Sequence, residues 1–525
     1  MKKSCKSHAW TIRAIGEMCS ILSGVGFPKS LQGRTSGDVP FFKVGDISKA
    51  WQEGKIFLRK ADNYVSEDEA QHLVKNLLPR GSVVFAKIGA AISLNRRCIL
   101  GQDSLVDNNV MGLCANPDVL REKFLFYFMC TISLGNWARA SIVPSVRKSD
   151  VSSIPIPYAD LNLQDRIVAK IEELFSDLDA GIAALERVQA NLKRYRASVL
   201  KAAVEGRLTA EWRKEHPDVE PASELLQRIL VERRKKWEES EWQKQIEKAQ
   251  KKVAKQRLNV RRVSDLNPED WQNIPESDYT PHLPTNDKRK AKYQEPDPPD
   301  ATELPELPEA WCWVTMEQLS WSLRNGVSKK PSIDPPGFPI LRINAVRPRS
   351  VNFEEIRFYN RPEAGAKDYF LEEGDLLFTR YNGSLDLLGV AGRVREYKKP
   401  LLHPDKLIRA RFPFRNDLPA YLEIAANCGE SRVHIVRRAR TTAGQTGISG
   451  SDIKQMPIPL PPLPEQQQIV AEVDRRLSVA DEIETQINTN LKRANRLRQA
   501  ILKRAFEGKL VQNGDAHECQ DQDCA

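Results

Sequence analysis

Apolar positions along this chain follow three different rhythms. In the first, Ile171, Leu178, Leu185, Leu192 and Val199 recur every seven residues, with Leu174, Val188, Tyr195 and Ala202 as a second stripe and Gly181 as its one gap. Far downstream Val473, Ala480, Ile487, Ala494 and Ile501 repeat the first stripe. Ile483 and Leu497 mark the other, which Arg476, Asn490 and Arg504 interrupt. Sustained heptads predict two long helices, each carrying a seam that it cannot bury alone. Asn490 is either a register setter or part of a solvated seam.

In the second rhythm, short β-prone runs alternate with Gly, Pro, Asn and Asp: "GDVPFFKVGDI" and "LPRGSVVFAKIGAA" before the first helix, "PGFPILRINAV" and "LEEGDLLFTRYNGS" before the second. These predict two α+β globular modules. They share a plan, because Pro40 corresponds to Pro339, Lys43 to Arg342, Gly81 to Gly374, Phe85 to Phe378 and Lys87 to Arg380. The third rhythm is charge with few apolar positions, in "ELLQRILVERRKKWEESEWQKQIEKAQKKVAKQRL". It suits a solvated helix or a docking surface for a partner subunit. The prolines of "YQEPDPPDATELPELPEAW" make the next stretch a restricted linker.

The long helices belong to an internal repeat. Shifting the chain by 302 residues aligns 154–208 with 456–510 without a gap, and about a third of the pairs are identical. Each copy opens on Pro-Ile-Pro (155–157, 457–459), which cannot lie inside a helix and reads as a stiff extended approach. Each closes on Glu-Gly, where Gly206 and Gly508 suit the left-handed position after a helix. About 45 residues at 1.5 Å each make a rod about 65 to 70 Å long. Equal lengths and matching ends favour antiparallel pairing within the chain over two separate dimerisation helices. The fold class is therefore α+β, two globular modules alternating with two long helices. The boundaries are 1–153 and 306–455 for the modules, 154–208 and 456–511 for the helices, 209–305 for the charged segment and linker, and 512–525 for a polar tail.

Lys and Arg total 80 against 70 Asp and Glu, a net charge of +10 with pI near 9.0, which favours a polyanionic partner. No stretch has the apolar length of a membrane span or a secretion signal, so the expected location is the cytoplasm, without membrane contact. The nine cysteines are scattered with no C-x-x-C pair, so no metal site or disulfide framework is expected; Cys519 and Cys524 read as loose thiols in the tail.

Cationic residues cluster at the ends of the β-prone runs: Lys87 and Arg96-Arg97 in the first module, and "SLRNGVSKK", "LFTRYNGS", "PDKLIRARF" and "VRRARTTAGQTGISG" in the second. Arg and Lys mixed with Asn, Gln, Thr and Tyr offer phosphate neutralisation together with directional groups for base edges. No phosphate loop, H-E-x-x-H or dinucleotide fingerprint is present. Asp297-Pro298-Pro299 and Asp334-Pro335-Pro336 lack the aromatic that would complete an adenine methyltransferase tetrapeptide, so both read as turn or linker. No catalytic residue is expected.

The repeated "IPIP" and "PIPLPPLPEQQQIV", the endings "LKAAVEGRLTAEWR" and "LKRAFEGKL", the segment "TTAGQTGISGSDIKQMPIP" and the module openings "AWTIRAIGEM" and "AWCWVTMEQL" together resemble the DNA specificity subunit of type I restriction-modification systems. The second module is most similar to recognition domains of the enterobacterial K-type branch. The resemblance implies two target-recognition domains, each reading half of an asymmetric interrupted site in double-stranded DNA, on an antiparallel helix pair that fixes the spacer. It implies two modification subunits carrying S-adenosylmethionine, which methylate adenine, and restriction subunits using ATP and Mg, with no cofactor in this chain. It places duplex contact at Arg342, Arg380, Tyr381, Asn382, Lys406, Arg409, Gln445 and Thr446, and on the matching edge of the first module at Lys43, Lys87, Ser145 and Arg147. That module departs from the pattern, with "SIVPSVR" in place of "AGQTGIS". Two other classes compete with this reading: a self-contained DNA methyltransferase with an appended reader, and a coiled-coil adaptor with no DNA role.

Overall fold

The computed structural model describes residues 10–511 except 75–76, 139–142, 286–289, 329–330, 334, 361–366, 398, 416 and 443–444. Cys5, Cys519, Cys524 and Asp334 therefore lie outside the described residues. The chain divides into two units, one of 1–189 with 485–525 and the other of 190–484, so each long helix contributes to both.

In the first unit the Pro-Ile-Pro stretch is a short strand. Pro155–Tyr158 pairs antiparallel with Thr11–Ala14, the opening of the module, in register Thr11 to Tyr158. A two-stranded ribbon tolerates alternating prolines, because each missing N–H can face away from the partner strand. The second unit builds the same ribbon from Cys312–Thr315 and Pro457–Leu460. Each is extended by an equivalent backbone bond of 3.0 Å, Ile15 N to Ile154 O and Met316 N to Met456 O.

Behind the first ribbon lies a sheet in the order Cys19–Ser23, Val110–Ala115, Val83–Ala86, Arg97–Leu100, Phe57–Leu58, beside a smaller sheet centred on Val39–Phe42. The second module centres on a sheet in the order Ser322–Asn325, Leu407–Arg411, Leu376–Thr379, Ala391–Arg393. Phe85 and Phe378, matched in sequence, are both fully buried in their strands. Gly81 (φ 88°) and Gly374 (φ 86°) both take the left-handed turn before that strand, which a side chain would strain.

The long helices run Leu161–Val204 and Leu463–Phe506, 44 residues each. Both end on a left-handed glycine, Gly206 (φ 69°) and Gly508 (φ 71°). The residue after each glycine returns a bond to the last turn, Arg207 N to Ala202 O (3.0 Å) and Lys509 N to Arg504 O (2.9 Å).

Pairing is antiparallel in each unit. In the first, Arg498 bridges Asp179 and lies 4.8 Å from the Phe175 ring centroid, and Gln189 Nε2 donates to Asn488 Oδ1 at 3.4 Å. In the second, Arg196 bridges Asp481 (2.6 Å) and Glu484 (2.7 Å). Arg196 and Arg498 occupy equivalent repeat positions, as do Asp179 and Asp481, so both units build one bridge from the duplicated residues.

The packing seam differs in part from the sequence expectation. Val473, Ala480, Ile487, Ala494 and Ile501 are all buried, as are Ile171, Leu192 and Val199, while Leu178 and Leu185 are half-buried. Burying each Val or Ile contributes roughly 1.5 to 3 kcal/mol. Of the expected second stripe Leu174 and Ala202 are half-buried, and the other apolar members are displaced by one position from the stripe that packs. Ile483 and Leu497 are 40% and 49% exposed, Val188 and Tyr195 are also exposed, and Asn490 faces solvent, so it sets no register. The stripe that packs is Leu477, Glu484, Leu491, Arg498 and Ala505 against Phe175, Ile182, Gln189, Arg196 and Ala203, all half-buried or buried. Its polar members are the residues that bridge the helices.

Within the first unit, Phe506 packs edge-on against Phe124 (5.0 Å) and Phe128 (5.4 Å) of the buried helix Glu122–Met129. In the second unit the start of the second long helix is tied to the end of the first by a buried carboxylate. Glu465 Oε1 accepts from Thr209 Oγ1 (2.6 Å) and Arg213 Nη2 (2.7 Å), and its Oε2 accepts from Trp311 Nε1 (2.8 Å). Arg213 Nη2 also donates to Gly206 O at 2.7 Å.

The charged segment forms the helix Ala222–Arg257. Leu225 and Ile229 enter the core of the second unit, and Arg233 Nε donates to Ser320 O at 3.0 Å. Toward its C-terminus Val253 and Ala254 pack with Ile274 beneath two short helices, Pro268–Gln272 and Glu276–Tyr279.

Candidate nucleic-acid interface

In the second module three short strands, Tyr381–Asn382, Gln445–Gly447 and Arg440–Thr442, form a sheet at the end of the central one. Tyr381 pairs with Gly447, which pairs in turn with Arg440; Asn382 pairs with Thr446, which pairs with Thr441. Successive residues of a strand point to opposite faces, so the Tyr381 row and Gln445 share one face and the Asn382 row takes the other.

The first face borders a cleft of about 250 Å³ lined by Arg380, Tyr381, Arg440, Gln445, Gly447, Ile448, Ser449 and Asp452. Gly447 makes room for the Tyr381 ring, since a Cβ there would lie 2.7 Å from it. The Arg380 guanidinium stacks 4.9 Å from the same ring centroid, an attraction of about 0.5 to 2 kcal/mol that holds it in place, and its Nε has no hydrogen-bond partner among the described residues. Lys406 is exposed and joined to Arg380 through the backbone, Arg380 N donating to Lys406 O at 2.9 Å. Arg, Gln and Tyr around one cleft can neutralise phosphate, donate bidentately from Arg to a guanine edge, and pair the Gln amide, acceptor and donor together, with an adenine edge.

The expected residues do not all converge here. Asn382 and Thr446 lie on the opposite face; the Asn382 Oδ1 accepts from Ser384 N (3.1 Å), and Thr446 meets Thr441 through their hydroxyls (3.2 Å). Arg342 stands apart, paired with Glu355 at 2.8 Å. Arg409 requires a correction. It is 3% exposed, donates from Nη1 to Phe370 O (2.8 Å) and lies near the buried Asp375, so it is an internal cation of the sheet and not a surface contact. Burial, reinforced by Arg411, pulls its pKa down to about 10. Arg97 is likewise fully buried, donating to Asn95 Oδ1 (2.9 Å) and Ile132 O (3.2 Å). Arg440 is a cleft residue that the sequence reading passed over. It sits in the highlighted run "VRRARTTAGQTGISG", and the period of two across the hairpin was the available signal.

The first module repeats the frame with fewer strands. Val146 N donates to Lys87 O (2.9 Å) as Ile448 N donates to Arg380 O (3.0 Å). Ser145 forms an isolated bridge to Ile88. Arg147 and Ser449 each precede a five-residue helix whose Asp150 or Asp452 carboxylate accepts their backbone N–H (3.2 and 2.7 Å). Lys87, Ser145 and the exposed Arg147 are therefore brought together on one edge. Burial and the nearby Lys148 lower the Lys87 pKa. The Lys43 ammonium lies 4.9 Å from the Phe27 ring centroid and donates to Gln32 Oε1 at 3.0 Å.

Among the described residues no helix is long and apolar enough to cross a membrane, and no cluster of three or more His, Cys, Asp or Glu is arranged to hold a metal ion.

The two modules repeat one frame, each with cationic residues at one edge and each continuing into a long helix. The chain belongs to the family described as type I restriction modification DNA specificity domain, whose family model matches residues 8–187 and 328–493. It is 33% identical over 370 residues to the type I restriction enzyme EcoKI specificity subunit of Escherichia coli (strain K12), and 28% identical over 375 residues to the StySPI specificity subunit of Salmonella potsdam. In both cases the match covers 70% of this chain and 60% of the relative, so the chain spans about 60% of the length of these relatives. A solved chain from a study of assembly and conformational transition in a type I R-M system shares the fold, with a TM-score of 0.55, 17% identity, and coverage of 96% of this chain and 98% of that one.

Proposed function

We propose that this chain is the addressing subunit of a type I restriction-modification complex. It reads a bipartite asymmetric site in double-stranded DNA and directs partner subunits to methylate adenine or cleave. The observation that carries the reading is the shared frame with different edges. Lys87 and Arg380 hold the same backbone position, yet Ser145 and Arg147 stand where the second module has Gly447 and Ser449. One scaffold with two edge chemistries suits two unlike half-sites, and the paired long helices suit a fixed spacer between them.

In this reading the chain contributes no catalytic group. S-adenosylmethionine belongs to two modification subunits, ATP and Mg belong to restriction subunits, and the complex acts in the cytoplasm. Arg380, Tyr381, Arg440 and Gln445 read one half-site, with Lys406 on its backbone; Lys43, Lys87, Ser145 and Arg147 face the other.

The test is duplex binding by the complex carrying Arg380→Ala or Arg440→Ala. A residue that reads a base edge costs about 1 to 3 kcal/mol on the true site and less on scrambled DNA. Equal losses on both would demote it to a phosphate contact, and no loss in either variant would remove the cleft from the interface.

A further inference from the structure

The helix Ala222–Arg257 changes character along its length. From 222 to 247 six Lys and Arg are matched by six Glu. Several of these neutralise one another along the helix, as in Arg234 with Glu238 (3.2 Å) and Lys244 with Glu241 (2.6 Å). From 248 to 262 there are seven cations and no carboxylate, so fifteen residues hold seven of the chain's net ten positive charges. Lys251 is taken up by Glu247 and the Trp271 ring, and Arg257 by Asp278. Among the described residues Lys248, Lys252, Lys255, Arg261 and Arg262 have no carboxylate partner, and all but the half-buried Lys255 are exposed.

This surface is built. Lys248, Lys252 and Lys255 follow an i, i+4, i+7 spacing, so they share one face. Ala249, Val253 and Ala254 are buried on the opposite face, the last two against Ile274, Leu266, Trp271 and Tyr279. Arg261 and Arg262 follow in the turn beyond the helix. Like charges gathered on a rigid support repel one another, and a polyanion relieves that repulsion. From Arg233, where the helix is bonded to the module, to Lys252 is about 28 Å along the axis, or about 8 base pairs of duplex length. The stretch also lies outside both segments matched by the family model.

We propose that this face is a second, sequence-blind DNA contact that grips phosphates of duplex flanking the recognised site. The proposal rests on the addressing reading above, and the test scores the two separately. The purified complex with its modification subunits is titrated against a random 60-base-pair duplex between about 50 and 200 mM salt, as wild type and as K248Q/K252Q/K255Q/R261Q/R262Q. Each lost phosphate contact flattens the salt slope by about one, so the variant's slope should be shallower by about three to five and its affinity at the lower salt at least about tenfold weaker. The charge-preserving K248R/K252R/K255R variant should bind like wild type, which separates charge from misfolding. An unchanged slope in the glutamine variant would overturn the proposal, as would loss of binding in the arginine variant. Unchanged DNA binding with loss of a protein subunit from the complex would overturn it too, in favour of an acidic protein surface. Preference of the wild-type complex for its mapped motif over a scrambled duplex scores the addressing reading independently of the slope.

Discussion

Glu465 offers the most demanding test of how the long helices are tied together. Its side chain is 1% exposed, yet it satisfies Thr209, Arg213 and Trp311 at once, and Arg213 in turn holds the Gly206 carbonyl at the end of the first long helix. Removing one partner of such a pair leaves the others desolvated and unmatched, which costs about 3 to 5 kcal/mol. Glu465→Leu should therefore lower the melting temperature of the second unit by about 6 to 10 °C, at roughly 2 °C per kcal/mol for a unit of this size. The equivalent position of the first copy is Leu163, which packs against the apolar core of the first unit, so the frame accepts an apolar plug. The double variant E465L/R213L, which removes the stranded guanidinium, should recover part of the loss. Equilibrium unfolding followed by hydrogen exchange at 206–213 measures both variants. A Glu465→Leu protein within 1 kcal/mol of wild type, or a double variant whose losses simply add, would refute the clamp.

Two further outcomes follow from single residues. His403 is fully buried, with its Nδ1 2.9 Å from Tyr369 O, and burial, reinforced by Arg409, lowers its pKa from 6.5 to about 3. The native imidazole stays neutral while the unfolded one gains a proton, so stability is lost as pH falls from 6.5 toward 3, by about 1.4 kcal/mol per pH unit. His403→Asn should lose less stability between pH 7.5 and pH 5 than wild type in thermal melts, and an identical acid loss would contradict this. Gly181 lies inside the first long helix, is exposed, and would admit a Cβ with nothing within 4 Å. Gly181→Ala should stabilise the protein by about 0.5 to 1 kcal/mol in denaturant unfolding, and a loss would show that the glycine serves contact with a partner.

The long helices were legible because their boundaries rest on local chemistry: prolines that cannot enter, and glycines that take a left-handed turn. The seam was legible only in half. Heptads spaced three-four and four-three share one stripe, and a purely apolar criterion chose Ile483 and Leu497 for the other. The helices instead half-bury Glu484, Arg498, Gln189 and Arg196, because tertiary ion pairs and packing on Phe175 make those positions tolerable.

Arg409 was misread for a related reason. Its strand is covered on both faces, with residues 407–410 all buried, so no alternation separates inside from outside, and the Asp375 that accompanies it is 34 residues away. The proposed contact residues lie where cationic loops carry hydrogen-bonding side chains. Their division between two faces of one small sheet depends on the Tyr381–Gly447–Arg440 register, which composition does not encode.

The central claim, that this chain supplies the address, is tested most directly by co-expressing it with its modification subunit and sequencing host DNA for methylated adenine at single-molecule resolution. The account predicts one motif in two unlike parts separated by a fixed gap, which disappears when this chain is deleted. Absence of methylation despite an intact complex, or a motif that survives the deletion, would contradict it.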